Sequence, residues 1–549
     1  MQRRGKLPPL RYQKPLRGRT KPPGTIILDP GTVTVLGFSR LPEVIREDIF
    51  ELLARELDVH LPMQMRSAII DLMVQRYCRR KGESHGRIDL VPMIARRLAQ
   101  AQSHPHASVV PVSSNSKVWT KTTRLTRSSF VHFDVLDFDE INSRAKAFAY
   151  LLQERASAVI EILQRYECHN VIMDELVRST DHLTHLDKNA SYFRHQVGMV
   201  KSHLPSNQPL YSLVCFGIVP ALMATEVLVR PPTLMQDLLA YLSEVLSLNK
   251  YFPNLSLRCI GGPTFAAERR DETFGVIFTG TSAVADVVRQ LYPSSALFIL
   301  NGSGHNPVVV TETADVHAAV RSVIGLCLHN QGQDCAAPNS LLVATSKLDE
   351  FLELLLHDLR RVDLLVGPYE DSKNLVGPNS RPNDLLRIAS MFRQHATWLG
   401  YGGDVNFATS IVRPTVFVKP LAEGAALSEF FAPVFMVQPY GRDQELSDYF
   451  SHPDYARNAM YVTVFGDSDF VRILVERELH TDANVLWDTD LHVEERGWRP
   501  YGGMGQAASC VYADGICIPG PTLPQRDLFL HAQRRLSSEK ADRQIASAR

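Results

Sequence analysis

Downstream of residue 140, the sequence contains segments with helical periodicity and short runs of β-branched residues. A long amphipathic segment comes first, and after about residue 225 apolar runs alternate with helical patterns. Strands and helices alternating at this interval are typical of βαβ units in a parallel sheet, so we expect an α/β fold with ligands at the carboxyl ends of the strands. Ser282 is the expected N-cap of its helix. The expected strands are 225–229, 256–260, 275–278 and 296–300, and the expected helices are 141–166, 234–248, 283–291 and 314–328.

The first part of the chain follows a different pattern. Residues 1–28 contain eight Lys or Arg, no acid and five Pro, and we interpret them as a flexible basic arm. Helical patterns at 41–57 and 65–78 predict a small helical unit, and the Ser-, His- and Pro-rich residues 101–115 predict a linker after it. The arm contains a single aromatic residue, Tyr12, so a solvated tail is favoured over a polyanion contact.

The composition excludes several classes of protein. Hydrophobic residues make up 45% of the 549 residues and charged residues 21%, which is ordinary for a globular chain and wrong for a disordered or fibrous one. Lys plus Arg and Asp plus Glu both number 59, so no field of the whole chain attracts nucleic acid or an anionic membrane. We therefore expect no nucleic-acid partner.

The cysteines and the most apolar stretch indicate a cytoplasmic protein without a membrane span. The eight cysteines are too sparse for a disulfide scaffold, and the absence of any CxxC pair excludes the usual zinc and dithiol motifs, so no metal is expected. The apolar residues 210–229 carry Pro220 and Glu226, both awkward in lipid, and we interpret them as buried core. No secretory signal pattern opens the chain.

One cysteine lies in a setting that suits reactivity. Residues 329–337 read His-Asn-Gln-Gly-Gln-Asp-Cys-Ala-Ala, which places Cys335 directly after a polar turn that contains glycine. Backbone amides around such a turn can lower the pKa of a thiol or hold an oxyanion. By composition alone, however, a cysteine is more often a small core residue. The motif that contains Cys335 distinguishes a reactive thiol from a small core residue.

Several ordered motifs resemble those of the aldehyde dehydrogenase superfamily. The family's nucleophile motif, Asn-Gln-Gly-Gln-x-Cys, is present at 330–335. The resemblance covers roughly residues 135–510. The other matching segments are Phe278-Thr279-Gly280-Thr281, Asn306-Pro307-Val308-Val309-Val310, Arg413-Pro414-Thr415-Val416-Phe417, Glu429-Phe430-Phe431-Ala432-Pro433-Val434 and Tyr501-Gly502-Gly503, the last similar to the family's Phe-Gly-Gly.

The resemblance implies an α/β, aldehyde dehydrogenase-like architecture with a parallel-sheet cofactor domain and an α/β catalytic domain. The helical N-terminal unit predicted from periodicity is extra to it. The strand-like residues 509–518 either extend a sheet across a subunit interface or form an edge strand of the same chain. Family members usually pair their subunits, so we expect a homodimer. The predicted segments are the basic arm 1–28, the helical unit 29–115, the dinucleotide-binding domain 116–301, the catalytic domain 302–495, the closing or oligomerisation segment 496–530 and the tail 531–549.

The resemblance also implies covalent chemistry at Cys335 with NAD or NADP as cofactor. The thiolate attacks an aldehyde carbon, and removal of a hydride from the thiohemiacetal leaves a thioester on the sulfur. Glu429 is expected to hold hydroxyls of the nicotinamide-side ribose, with Phe431 packed nearby; the alternative for Glu429 is an exposed loop carboxylate. The residues expected on the cofactor side are Arg230, Gly280, Thr281, Gly302, Glu429 and Phe431.

One departure from the family bears on how the thioester is released. The family's general base is a Glu, and Asn301 stands in its place, followed by a changed Gly-Ser-Gly-His segment. An amide cannot take a proton from water, so hydrolysis of a Cys335 thioester is expected to be slow unless His305, His329 or Asp334 substitutes as base. Members of the superfamily that lose this Glu pass the acyl group to a thiol such as coenzyme A, or reduce acyl thioesters.

Two further departures concern the oxyanion and the cofactor. The family supplies an Asn side chain from a Trp-Asn-Phe-Pro turn, and Asn207 in the turn 206–209 is the candidate here, with a plain turn residue as the alternative. The family's Lys-Pro-x-Glu appears as Arg230 followed by Pro-Pro-Thr. Loss of the carboxylate and gain of a guanidinium favour a 2′-phosphate, hence NADP(H); the alternative is that Arg230 only ends a strand.

The sequence supports two hypotheses of function. The first is an NAD(P)-dependent oxidoreductase that interconverts an aldehyde and an acyl thioester or acid through Cys335, with acyl transfer or acyl reduction favoured over hydrolysis. Its partners would be a small aldehyde or acyl thioester and the thiol of coenzyme A or a carrier protein. The second is an inactive scaffold or cofactor-binding protein, favoured by the missing Glu; the intact motif before Cys335 favours the enzyme.

Overall fold

The computed structural model describes residues 25–29, 32–35, 134–478, 484–489 and 491–547. The predicted linker, almost all of the predicted helical unit and most of the basic arm therefore lie outside the described residues. Two short strands, within the segments predicted as arm and helical unit, are described. In the described part, no helix is both long and apolar enough to cross a membrane.

The helices and strands of the described residues are as follows. The strands are β1 (Thr25–Asp29), β2 (Thr32–Val35), β3 (Met199–His203), β4 (Val227–Arg230), β5 (Leu255–Leu257), β6 (Thr273–Thr279), β7 (Leu297–Asn301), β8 (Val308–Val310), β9 (Leu341–Ala344), β10 (Leu399–Tyr401), β11 (Val405–Asn406), β12 (Ile411–Val412), β13 (Thr415–Val418), β14 (Val434–Tyr440), β15 (Val462–Phe465), β16 (Val485–Trp487), β17 (Ser509–Ala513) and β18 (Ile516–Pro519). The α-helices are α1 (Phe138–Glu154), α2 (Ala156–Leu163), α3 (His169–Thr184), α4 (Pro209–Leu213), α5 (Val219–Ala221), α6 (Gln236–Val245), α7 (Leu248–Tyr251), α8 (Gly262–Ala267), α9 (Ser282–Arg289), α10 (Val316–Leu328), α11 (Leu348–Val362), α12 (Leu385–Gln394), α13 (Asp443–Phe450), α14 (Pro453–Asn458), α15 (Asp469–Glu478), α16 (Leu491–Glu494) and α17 (Pro524–Ser547).

The first large sheet has the strand order β18-β17-β7-β6-β3-β4-β5. Its strands from β7 to β5 run parallel, as the alternating pattern predicts. The hairpin β17–β18 joins β7 in antiparallel register within the same chain, and β18 forms the edge of the sheet. Helix α17 packs against the same sheet and crosses the predicted boundary between residues 530 and 531.

The second large sheet has the order β10-β13-β14-β9-β8-β15-β16 and is parallel except at β10. Helices α10 and α11 pack on one of its faces in a core that includes Val323 and Leu355. A small antiparallel sheet of order β12-β11-β1-β2 joins the N-terminal strands to this half of the molecule. Two α/β units therefore stand side by side, and the chain passes between them after β7.

Two local expectations need correction. The segment expected as one helix at 141–166 forms α1 and α2, which are separated at Arg155, whose φ of −94° and ψ of 9° are not helical. Helix α9 already includes Ser282, and its N-cap is Thr281. The apolar residues 210–229 are core, as predicted: a helix that contains a π-helical turn at Val214–Ile218 precedes β4.

Candidate active site

The nucleophile motif forms a tight turn at the end of α10. Its residues Asn330, Gln331 and Gly332 adopt successive left-handed conformations, with φ of 46°, 57° and 69°. Such conformations are unfavourable for residues with a side chain and persist only where the surroundings hold them. Contacts with the surrounding residues must therefore hold the turn in this conformation.

Glutamine side chains hold the turn. The Gln333 side-chain amide donates to the Asn330 carbonyl and to Gln331 Oε1, both at 3.2 Å. Its own oxygen accepts from the backbone N–H of Ser380, at 3.0 Å, and from the Ser380 hydroxyl, at 2.6 Å. A β-carbon on Gly332 would lie 2.3 Å from the Ala432 carbonyl, so the turn packs backbone against backbone on the segment that contains Glu429.

Cys335 is half-buried just beyond the turn. Its sulfur donates to Asp334 Oδ1 at 3.6 Å, and its carbonyl accepts from the Asn306 side chain at 2.8 Å. Burial raises the pKa of this thiol well above its ordinary value, and the negative charges of Asp334 and Glu495 raise it further. Without a bound partner, Cys335 is thus held as a neutral thiol.

The structure brings Asn207 to the nucleophile turn. Its side-chain amide donates to the Gln333 carbonyl at 3.0 Å, two residues before Cys335. The next residue, Gln208, has a φ of 50° and donates from its side chain to Asp334 Oδ2 at 3.1 Å. The predicted oxyanion donor and the predicted nucleophile therefore belong to one hydrogen-bonded cluster.

Two buried carboxyl groups support the turn that carries Asn207, and sequence reasoning missed both. Glu167 accepts from the Gln208 backbone N–H at 3.1 Å, and Glu175 accepts from the Tyr211 backbone N–H at 2.7 Å. Burial raises the pKa of each, and a hydrogen bond links the two side chains. Glu175 lies on the buried face of α3, where an acid among apolar residues is the signal that could have found it.

Asn301 points into a different set of contacts. Its side-chain oxygen accepts from the Thr522 hydroxyl at 2.7 Å, and its amide donates to the Thr279 hydroxyl at 3.5 Å. The following Gly302 is packed so closely that a β-carbon would lie 2.1 Å from the Ala507 carbonyl. The structure therefore places Gly302 against the backbone of the closing segment, where only glycine fits.

The candidate alternative bases differ in their surroundings. Burial lowers the pKa of His305 and of His329 to about 4 in each case, so both imidazoles are neutral at pH 7. His329 lies 3.7 Å from Asp174 and 3.4 Å from the Gln208 side-chain nitrogen. Of the three candidates, Asp334 is the one that contacts the Cys335 sulfur.

Glu429 is half-buried, within range of the charges of Arg381 and Arg387. Burial raises the pKa of its carboxyl, and contact with Ser303 and the charge of Arg387 oppose that rise. Its Oε1 has no hydrogen-bond partner among the described residues. Phe431 adopts a φ of 52°, and the Arg381 guanidinium lies 5.0 Å from its ring centre. The alternative of an exposed loop carboxylate is thus wrong for Glu429.

The residues expected at the adenosine side lie at the carboxyl edge of the first sheet. Gly280 follows β6 and donates its backbone N–H to the Asn301 carbonyl at 3.0 Å, and Thr281 is the exposed N-cap of α9. Arg230 ends β4, and its Nε donates to the Ile260 carbonyl at 3.0 Å. Its guanidinium carbon lies 3.9 Å from where Gly262 would carry a β-carbon, at the start of α8.

An ion pair near Cys335 also escaped the sequence analysis. Arg178 of α3 lies 2.9 Å from Glu495 and 3.6 Å from Asp174, and its guanidinium stacks 4.1 Å from the Tyr211 ring centre. Arg178 and Glu495 are 317 positions apart in the chain, so no local sequence pattern could have paired them. Within the described residues, no group of His, Cys, Asp and Glu could hold a metal ion.

The fold and the site together define a class of protein: two parallel-sheet units with a cysteine on a strained turn at their junction. Residues 95–509, about three quarters of the chain, match the sequence family described as "Aldehyde dehydrogenase family". The chain belongs to the aldehyde dehydrogenase family. The match begins about 40 residues before the first described helix.

Comparison with individual proteins gives distant similarities. Benzaldehyde dehydrogenase YfmT of Bacillus subtilis is 31% identical over 180 residues, which cover 32% of this chain and 36% of that protein. Aldehyde dehydrogenase 2, mitochondrial, of Saccharomyces cerevisiae is 26% identical over 325 residues, covering 57% of this chain and 61% of that protein. The chain thus spans from about a third to three fifths of the length of these relatives.

Solved structures share the fold. Glyceraldehyde-3-phosphate dehydrogenase GapN from Methanocaldococcus jannaschii, complexed with NADP, superposes with a TM-score of 0.59 at 18% identity, covering 71% of this chain and 88% of that one. An aldehyde dehydrogenase of Mycobacterium tuberculosis complexed with NAD+ gives a TM-score of 0.57 at 19% identity, covering 72% and 84%. The aldehyde dehydrogenase-like α/β architecture predicted from the motifs is confirmed.

Proposed function

We propose that this protein is an NAD(P)-dependent oxidoreductase that interconverts an aldehyde and an acyl thioester through covalent attachment to Cys335. The observation that carries the proposal is the turn itself. The turn leads into a half-buried thiol, its Gln333 carbonyl accepts from the Asn207 amide, and its Gly332 packs against the segment that contains Glu429. Left-handed conformations at Asn330 and Gln331 are costly, and that cost is understandable where the turn positions a reacting atom.

The residues of this chain suit a bound dinucleotide. The unpartnered Oε1 of Glu429 is an acceptor ready for a ribose hydroxyl, because a buried carboxylate oxygen without a donor is otherwise unfavourable. Gly280 and Thr281 lead into the amino end of α9, where phosphate oxygens are favoured. When bound, the nicotinamide would accept or supply a hydride at the carbon held on Cys335.

Arg230 supports NADP(H) as the preferred cofactor. Its Nε is held by the Ile260 carbonyl, which leaves the outer nitrogens of the guanidinium beside Gly262 and the start of α8. A planar guanidinium pairs with phosphate through two parallel hydrogen bonds. The family's carboxylate, which would repel a 2′-phosphate, is replaced by Thr233.

We propose that the acyl group leaves Cys335 by transfer to an external thiol rather than by hydrolysis. In the aldehyde-to-thioester direction, the Cys335 thiolate adds to the carbonyl carbon, and the resulting oxyanion is stabilised by Asn207 and the Cys335 backbone amide. Hydride loss gives the thioester, and an incoming thiolate of coenzyme A or a carrier protein displaces the Cys335 sulfur. Asn301 cannot deprotonate water, and its amide is occupied by Thr522 and Thr279, which supports transfer.

Two broader expectations accompany this proposal. Catalysis needs a free Cys335 thiol, and the described cysteines are all unpaired, which suits a reducing compartment such as the cytoplasm. A homodimer remains the expected assembly by analogy with the family.

The test combines both directions of the reaction. Purified protein is incubated with NADPH and an acyl-coenzyme A series, and separately with aldehyde, NADP and free coenzyme A, while nicotinamide absorbance is followed. The wild type should turn over in at least one direction, and Cys335→Ala should be silent. Cys259→Ala is the matched control, because Cys259 is exposed and should leave the rate unchanged. If wild type and Cys335→Ala behave alike with every substrate, the scaffold alternative replaces the enzyme.

A further inference from the structure

A cavity of about 320 Å³ lies between the hairpin β17–β18 and helix α17. Its volume is in the range of sites that bind small molecules. Much of its wall is apolar and comes from four elements: Leu297 of β7, Val511 of β17, Ile518 of β18 and Leu530 of α17. Ile518 and Leu530 are 43% and 38% exposed, so part of this apolar surface is open to water. Contact with an apolar ligand would remove that surface from water, which is favourable.

The cavity is separate from the candidate active site. Leu297 begins β7 and Asn301 ends it, and the Gly280 N–H donates to the Asn301 carbonyl at the far end of the strand. Four steps along a β-strand span roughly 13 Å. None of the described residues that line the cavity belongs to the proposed catalytic or cofactor-binding set. A ligand in this cavity therefore does not depend on the proposed function.

One face of α17 gives the cavity its polar groups. His531 and Arg534 both line it, and their spacing of three residues makes the two side chains neighbours on the helix. Arg534 is exposed, and its guanidinium has no hydrogen bond or ion pair with the described residues. His531 is only 2% exposed, and at least one of its ring nitrogens has no hydrogen-bond partner among the described residues. A buried polar atom without a partner is unfavourable, and a polar ligand group at this wall would satisfy it.

The remaining charged groups of the cavity compensate each other. Asp527 Oδ1 accepts from Arg526 Nε at 2.9 Å, and Asp527 Oδ2 accepts from the Leu523 backbone N–H at 2.8 Å. Arg526 also donates to the Pro521 carbonyl at 2.6 Å. Among the lining residues, the positive charge of Arg534 is therefore the one left uncompensated. The cavity combines an apolar wall with a cation, which suits a ligand with an apolar body and an anionic head.

We propose that this cavity binds a small amphipathic carboxylate, with its aliphatic chain against Leu297 and Val511 and its carboxylate between Arg534 and His531. The carboxylate oxygens accept hydrogen bonds from the Arg534 guanidinium and from an N–H of the His531 ring. An ammonium head on the same chain would be repelled by Arg534. Because the ligand contacts both α17 and the first sheet, it binds the folded chain and stabilises it against unfolding.

The test locates the ligand directly. The full chain is irradiated with a diazirine-bearing analogue of octanoate, and the labelled peptides are identified by mass spectrometry. Label is expected within residues 511–534, and octanoate should compete for it, whereas octyltrimethylammonium, with the same chain and the opposite charge, should not.

Three variants separate the charge from the apolar wall. Arg534→Gln should weaken the affinity for octanoate by about fivefold, as expected for the loss of an exposed ion pair. Val511→Phe places a larger side chain in the cavity and should abolish the label. The matched control is Arg289→Gln, which removes the same charge on the opposite face of β17, where the Arg289 guanidinium lies 4.3 Å from the Tyr512 ring centre; the affinity should stay unchanged.

Several results would overturn the proposal. Label found only in other peptides, including those of the active site, does so, and so does equal competition by octyltrimethylammonium. An octanoate affinity that is unchanged in Arg534→Gln would show that the charge is not recognised. If a second copy of the chain covers the hairpin, sedimentation shows a dimer and residues 511–534 stay unlabelled, which also overturns the proposal. Should Val511→Phe fail to fold, Arg534→Gln decides, because Arg534 is exposed and its loss should leave the fold intact.

Discussion

Asp334 shows how one side chain can shape the chemistry of its neighbour. Its carboxylate accepts from the Ala336 backbone N–H at 2.9 Å and from Gln208 at 3.1 Å, so it is fixed in place beside Cys335. It raises the pKa of the thiol while offering the sulfur proton its first acceptor. The sequence places Asp334 next to Cys335, but whether the carboxylate faces the sulfur depends on the turn.

At the same scale, Asn301 should control how the thioester is released. Asn301→Glu would place a carboxylate beside Thr522, whose hydroxyl can still donate to it. A general base contributes factors of 10² to 10⁴, so release of free acid from aldehyde, measured without a thiol acceptor, should rise by about tenfold or more. Asn301→Gln is the control without charge and should show no gain. Equal rates in the two variants would show that release is limited elsewhere.

Arg230 should discriminate between the two nicotinamide cofactors. Removing one bidentate guanidinium–phosphate contact costs about 1.5–3 kcal/mol, so Arg230→Ala should weaken NADPH binding by about 10- to 100-fold and leave NADH binding nearly unchanged. Fluorescence titration measures both. Arg258→Ala removes a nearby arginine that is already paired with Glu268 at 3.1 Å and should affect neither cofactor. Equal loss of both cofactors in Arg230→Ala would contradict the assignment.

At the scale of elements, the sequence predicted most of the strands and helices of the first sheet within a few residues of their observed ends. It missed β3, an interior strand of this sheet, because Lys201, Ser202 and His203 make this buried strand polar. Tertiary contacts satisfy two of the three side chains: the Lys201 ammonium donates to the Phe265 and Ala266 carbonyls at 3.0 and 3.2 Å, and His203 pairs with Tyr292 at 2.8 Å. A hydrophobic pattern cannot reveal a strand whose polar groups find buried partners.

The nucleophile turn should be sensitive to a single methyl group. Gly332→Ala adds a β-carbon at a φ of 69° and 2.3 Å from the Ala432 carbonyl, so it should lower the free energy of unfolding by about 2–4 kcal/mol, measured by urea denaturation. Gly325→Ala is the matched control in α10. Its new methyl group meets no heavy atom within 4 Å, and it should stabilise the protein by about 0.5–1 kcal/mol. A Gly332→Ala protein as stable as wild type would show that the turn relaxes freely.

At the scale of the whole molecule, the closing segment unites the two units. It leaves the second sheet after β16, passes Cys335 with Glu495 and Tyr501, and returns to the first sheet as the hairpin β17–β18. Cys335 therefore receives neighbours from both units and from a segment about 160 residues downstream. The site exists only when both units and the segment that joins them are folded.

Buried histidines should make the folded molecule sensitive to acid. Burial lowers the pKa of His182 and His203 to about 3 in each case. Below about pH 6.5 these histidines are protonated in the unfolded chain but stay neutral in the folded protein. The unfolded state therefore binds more protons, and the free energy of unfolding falls as pH falls. Each contributes about 2 kcal/mol of loss between pH 7.5 and 5. The free energy of unfolding, measured by urea over this range, should decline less steeply in His203→Gln than in wild type.

The control for this prediction is His317→Gln, which removes an exposed histidine and should leave the pH slope unchanged. The buried pair Glu167 and Glu175 acts in the opposite sense, because the pKa of each carboxyl is raised in the folded protein. Stability from these groups falls as the pH rises above the ordinary pKa of a glutamate. The difference in slope between variant and wild type is therefore the quantity to compare. Identical slopes in His203→Gln and wild type would contradict the neutral, buried state of His203.

The amino-acid sequence alone determined the α/β class and the family, and it singled out Cys335 as the proposed nucleophile, because periodicity and motif spacing are local properties that survive divergence. The environment of that sulfur was decided by tertiary structure. Glu495, Glu429 and Tyr501 reach Cys335 from far along the chain, and the charges and hydrogen bonds that set its pKa act through space at distances of a few ångströms. Only the folded chain brings those groups within range.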